Sequence, residues 1–82
     1  MIATPNPFNP YTTISFALPH PAHARLTVYD VLGREVRVLA NDNFAPGEHR
    51  LRFDGSDLPS GIYFARLQSG EFVATQKLLL LK

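Results

Sequence analysis

Clusters of proline and glycine recur every 8 to 15 residues along this chain of 82, and that spacing constrains its fold more than any other feature. A helix with a buried stripe needs apolar residues sustained at i, i+3, i+4 and i+7. The intervals here are too short for it, and no such pattern is present. Period-two alternation fills them instead, as strands require. Thr12–Leu18 sets Ile14, Phe16 and Leu18 to one side, and Ala24–Asp30 sets Leu26 and Val28 against Arg25, Thr27 and Tyr29. Glu35–Leu39 is predicted to point Val36 and Val38 inward, and Glu48–Phe53 to point Leu51 and Phe53 inward with Arg50 and Arg52 outward. Ile62–Gln68 and Phe72–Leu81 complete the series, joined at Ser69-Gly70. Turns are expected at Pro19-His20-Pro21, Gly33, Asn41-Asp42-Asn43, Pro46-Gly47 and the loop Asp54–Ser60.

Six to seven short strands bounded by turn residues predict an all-β fold, an antiparallel immunoglobulin-like β-sandwich. Residues 1–11, with Pro5, Pro7 and Pro10, are set apart as an extended Pro-rich lead-in or an edge segment, because proline cannot donate to a ladder. Residues 12–82 are then the domain. A chain this short buries only about 60% of its unfolded surface, and with no Cys it has no disulfide to add stability. The formal charge is +1 and the basic residues are not clustered, which excludes nucleic acid as a partner. No apolar run exceeds four residues, the length of Leu78–Leu81, far short of the roughly 20 residues of a membrane helix. Met1-Ile2-Ala3 runs directly into prolines without a secretory signal, so that if the protein is exported this chain is a piece of something longer.

Residues able to carry chemistry are sparse. No serine sits in a G-x-S-x-G elbow. His20 and His23 flank Pro21 without a third ligand at metal-binding spacing. Asp54 and Asp57 could pair for glycoside hydrolysis, but a sandwich this small offers little concave surface for a sugar, and the bland reading is that they cap the loop backbone. With Ser56 they are the best of the calcium options, without the spacing of the well-known calcium loop. Tyr11, Tyr29 and Phe64 are the aromatics whose predicted exposure suits a sugar ring, although there is no Trp. These residues give no catalytic constellation and call for no cofactor and no metal. A carbohydrate-binding module and a structural immunoglobulin-like spacer of a secreted hydrolase are the alternative functions.

Longer strings carry more. The chain has Pro5-Asn6-Pro7-Phe8-Asn9-Pro10, then Val28-Tyr29-Asp30-Val31-Leu32-Gly33-Arg34-Glu35-Val36, then Leu58-Pro59-Ser60-Gly61-Ile62-Tyr63-Phe64, and it ends Lys77-Leu78-Leu79-Leu80-Leu81-Lys82. In their order and spacing these strings resemble the type A C-terminal sorting domain of the type IX secretion system. That domain is related to the immunoglobulin-like domain of flagellar hook-assembly proteins. The resemblance implies a non-catalytic tail that directs a larger exported protein, such as a polysaccharide-degrading glycoside hydrolase, across the outer membrane to the cell surface. Its implied partners are the outer-membrane secretion machinery and a parent enzyme domain upstream. The implied recognition residues are Pro5, Asn6, Pro7, Gly61, Tyr63, Lys77, Leu78, Leu79, Leu80, Leu81 and Lys82. The residues themselves allow two readings of the leucine run, ordinary core or a strand displayed at a sheet edge, where unpaired backbone also permits a homodimer.

Overall fold

A computed structural model describes residues 1–82 as seven strands and no helix: β1 (Ile2–Thr4), β2 (Tyr11–Leu18), β3 (Ala22–Asp30), β4 (Glu35–Phe44), β5 (Gly47–Asp54), β6 (Gly61–Ser69) and β7 (Phe72–Leu80). They form two antiparallel sheets, β1-β2-β5 and β4-β3-β6-β7. This is the immunoglobulin-like sandwich the alternation predicts.

The core follows from that alternation. Ile14, Phe16 and Leu18 of β2 and Phe53 of β5 face Leu26 and Val28 of β3, Ala65 and Leu67 of β6 and Leu78 and Leu80 of β7 across the sandwich, all buried. Phe8 joins them at 2% exposure, with its ring 5.7 Å from that of Phe53. Thr12 and Thr27 are the buried polar side chains, and the Thr12 hydroxyl donates to the Pro5 carbonyl at 2.7 Å. No buried side-chain polar atom lacks a partner, as a stable interior requires.

The structure departs from the sequence reading in two places. The expected turn at Asn41-Asp42-Asn43 is strand, because β4 continues to Phe44 along β3 and the chain changes sheet at Ala45-Pro46. Two register shifts in the β3–β4 ladder, at Leu26/Thr27 and Val28/Tyr29, break the period of two in β4. Val38 therefore stays 45% exposed, while Val36, Leu39 and Ala40 pack partly against the core.

The second place is the lead-in, where the edge alternative holds in place of the free joint. Within residues 1–11, Ile2–Thr4 pairs with β2 as an edge strand of one sheet. The next few residues cross over, and Phe8 bridges Leu80 in parallel on the edge of the other sheet. The prolines remain outside every ladder, as their missing N–H demands, but Phe8 between them is core. Pro5–Pro10 is thus packed onto the sandwich and is not a free joint.

Candidate functional site

The strings singled out in the sequence meet at one pole of the sandwich. β3 ends there at Asp30, which stands opposite Tyr63 of β6, and Gly61 stands opposite Leu80 of β7. The β3–β4 turn, the β5–β6 loop, the Pro-rich segment and the C-terminus all lie around this pole. Two open depressions mark it, one of about 400 Å³ that includes Leu32, Leu58 and Ile62, the other of about 380 Å³ that includes Pro7, Leu81 and Lys82.

The β3–β4 turn is held by Asp30. Its Oδ1 accepts the backbone N–H of Leu32 and of Arg34, both at 3.0 Å, and its Oδ2 accepts Arg34 Nε at 2.8 Å. The Arg34 backbone N–H leads in holding this carboxyl below the usual carboxylate range. With the polar groups turned inward, Val31 and Leu32 project at the tip, 66% and 75% exposed.

The β5–β6 loop is built the same way. Asp54 Oδ1 accepts the Ser56 N–H at 2.8 Å, and that bond lowers its pKa. Arg37 reaches across from β4 and donates Nη2 to both oxygens of Asp57, at 2.8 and 3.0 Å, and Nη1 to the Asp54 carbonyl at 3.0 Å. Asp54 and Asp57 are therefore engaged in loop geometry. No cluster of three or more His, Cys, Asp or Glu residues exists in the chain. Gly55 lies against the core, where a Cβ would come 2.9 Å from Leu80 Cδ2.

The residues implied as recognition elements separate into anchors and displayed groups. Tyr63 is buried, and its hydroxyl donates to the Pro59 carbonyl four residues upstream, at 2.6 Å. This is the tyrosine corner of immunoglobulin-like sandwiches, at the start of the strand where they carry it. Burial raises the phenol pKa above its ordinary value. Leu78 and Leu80 are fully buried and Leu79 half-buried. Leu81 is half exposed, and Lys77 and Lys82 are exposed. Lys82 is positioned by its own N–H, which donates to Ser60 Oγ at 3.0 Å, and by its Nζ, which donates to the Ser56 carbonyl at 2.7 Å. The core reading of the leucine run holds for Leu78 and Leu80, and the reading as a displayed edge does not, because the outer backbone groups of Lys77, Leu79 and Leu81 are bonded to Asn6 and Phe8.

The Pro-rich segment does what the sequence alone did not reveal: it closes the C-terminal edge of β7. Asn6 Nδ2 donates to the Lys77 carbonyl at 2.7 Å, and the Leu79 N–H donates to Asn6 Oδ1 at 3.0 Å. The Phe8 N–H then donates to the Leu79 carbonyl at 2.9 Å, and the Leu81 N–H to the Phe8 carbonyl at 3.0 Å. An asparagine amide stands in for a backbone amide between two prolines. In a regular strand alternate residues turn their backbone groups to the same side. The edge left open on β7 is thus the stretch Phe72–Gln76.

The aromatics divide likewise. The Tyr11 ring is covered by the Arg52 guanidinium, 3.8 Å from its centroid. Tyr29 and Phe64 are cross-strand neighbours, half-buried on the outer face of the four-stranded sheet. His23 lies at the other end of β3, its ring nitrogens 3.2 Å from Asn43 Oδ1 and 2.7 Å from Asn41 Oδ1.

No curated protein and no solved structure matches the chain. The sequence profile of the family described as "Secretion system C-terminal sorting domain" matches residues 4–81, from the Pro-rich segment to the last leucine. That role implies a larger carrier protein, secretion machinery that handles it, and export toward the cell surface or the extracellular space. The chain belongs to the family of type IX secretion C-terminal sorting domains.

Proposed function

We propose that this domain is a non-catalytic tail whose C-terminal pole is read by outer-membrane secretion machinery. The observation that carries this reading is the division within Lys77–Lys82. Leu78 and Leu80 lock the last strand into the core, while Leu81 and Lys82 emerge at the pole, where the Lys82 N–H is held by Ser60 of the β5–β6 loop. A rigid fold that presents a short apolar-basic end is suited to recognition without catalysis. In this reading Asn6, Tyr63 and Gly61 hold the pole in shape, and Leu81 and Lys82 meet the receptor. The carrier lies upstream and is a hydrolase, such as a polysaccharide-degrading glycoside hydrolase; support for that carrier is the sequence resemblance alone. The destination is the cell surface or the medium. A homodimer through β7 is restricted to the open edge Phe72–Gln76.

The test is export. Residues 1–82 fused behind a periplasmic reporter, in a host with type IX secretion, are expected to carry the reporter to the surface or the medium. Deleting Lys77–Lys82 would remove two core leucines and confound folding with recognition. Deleting only Leu81-Lys82 keeps the core and is expected to strand the reporter in the periplasm. Export that survives that deletion, with the fold intact by circular dichroism, counts against the reading.

A further inference from the structure

The positive charges of the chain are almost all engaged. Arg25 pairs with Glu35, Arg34 with Asp30, Arg37 with Asp57 and Arg50 with Glu48. Arg52 covers the Tyr11 ring, and Lys82 Nζ bonds the Ser56 carbonyl. Of the eight Lys and Arg residues, that leaves Arg66 and Lys77. Both are exposed on the outer face of the four-stranded sheet.

Their neighbours form two rows across that face. One row is Glu35, Tyr29, Phe64 and Lys77, in direct register over β4, β3, β6 and β7, with the Glu35 carboxylate taken up by Arg25. The next is Thr27, Arg66 and Thr75. Arg66 and Lys77 are therefore diagonal neighbours, their Cβ atoms somewhat closer than about 7–8 Å, a spacing that two long cationic side chains can close around one anionic group. Tyr29, Phe64, Arg66 and Thr75 help line an open depression of about 380 Å³, with Lys77 outside its lining. Asp30 lines it too, its carboxylate engaged by the Leu32 and Arg34 N–H groups and by Arg34 Nε.

We propose that this face binds an acidic saccharide, a sugar chain bearing carboxylates. The C–H face of a pyranose ring packs on Phe64 and Tyr29, which offer apolar surface from one side only. Arg66 and Lys77 take the carboxylate in charge-assisted hydrogen bonds, and the Thr75 hydroxyl is placed for a sugar hydroxyl. The unpaired cations select an anion. The strand positions select a saccharide over a peptide: β3 and β6 are interior strands with ladders on both sides, so an extended peptide would gain no main-chain bonds here. The three-stranded sheet offers no equivalent, since Arg52 occupies its Tyr11 ring and Glu48 holds Arg50.

Calorimetric titration of the 82-residue protein tests this with oligogalacturonate as probe, and with neutral cello-oligosaccharide and poly-L-glutamate as comparisons. Oligogalacturonate is expected to bind and the other two to bind at least tenfold more weakly. Arg66→Gln and Lys77→Gln are each expected to weaken binding roughly tenfold, the scale of a lost charged hydrogen bond. Phe64→Leu keeps apolar bulk and is expected to weaken binding with an unchanged melting temperature; Tyr29→Leu replaces it if that variant melts early. Arg52→Gln, on the other sheet, is expected to leave affinity intact. No binding of oligogalacturonate overturns the proposal. So does equal binding of poly-L-glutamate with indifference to Phe64→Leu, which would mark a patch for acidic protein. Equal binding of the neutral sugar with indifference to both cation variants overturns it as well.

Discussion

Tyr63 shows how a recurrent string can serve the fold itself. Its hydroxyl is the one polar group that the buried start of β6 must satisfy, and the Pro59 carbonyl accepts it at 2.6 Å. Tyr63→Phe leaves that carbonyl without its partner and is expected to cost about 1 kcal/mol. For a domain of this size that lowers the melting temperature by roughly 4–8 °C. Export at growth temperature is expected to persist if the fold does. A loss of export at an unchanged melting temperature would instead make the hydroxyl a recognition group. The pattern Gly61-Ile62-Tyr63 was legible as a string, and its chemistry was not, because a bond back to residue 59 depends on how the corner folds. Asp54 was legible in chemistry: a loop carboxylate two residues from a free N–H bonds it first, as Asp54 does with Ser56, whereas Asp57 takes the Arg37 guanidinium from β4, a partner that only the fold supplies.

At the scale of the element, the Pro-rich segment and β7 act together. Asn6 contributes two of the four hydrogen bonds between them. Asn6→Ala is expected to destabilise the protein by roughly 1–2 kcal/mol, as two exposed hydrogen bonds would. The more specific signature is local. Hydrogen exchange at the Leu79 amide should accelerate beyond the global shift, while the interior amide of Ala65 follows global stability alone. Equal acceleration at both positions would mean that the segment does not protect β7 as a separate unit. Strands with strict alternation, such as Thr12–Leu18, were readable because each inward position met the core. β4 was not, since its two register shifts displace Val36 and Leu39 and its exposed Asn41-Asp42-Asn43 carries turn chemistry into a strand. Prolines hid the lead-in for a related reason. They exclude a ladder, and the pairing here runs through an asparagine side chain and the backbone of Phe8.

Across the whole molecule, the question is where the folding unit begins. Phe8 sits at 2% exposure against Phe53, so Phe8→Ala should open a cavity and cost about 3–5 kcal/mol. Against a total stability of about 5–15 kcal/mol that is a large fraction. Removing residues 1–4 should cost far less, because Ile2 is 62% exposed. Urea unfolding checks the pair, read from the midpoint with slopes compared. A Phe8→Ala midpoint equal to that of the native chain would return residues 5–10 to the status of a linker.

The parallel direction of the Asn6–Phe8 pairing also has a mechanical meaning. The two segments run side by side in the same sense, one near the start of the chain and the other at its end. Tension applied between the two ends drags these segments past one another along their length. All four hydrogen bonds then resist at once, in shear, and none can be peeled open ahead of the rest. A pull on the two ends of the domain therefore meets its resistance where the first and last segments lie side by side.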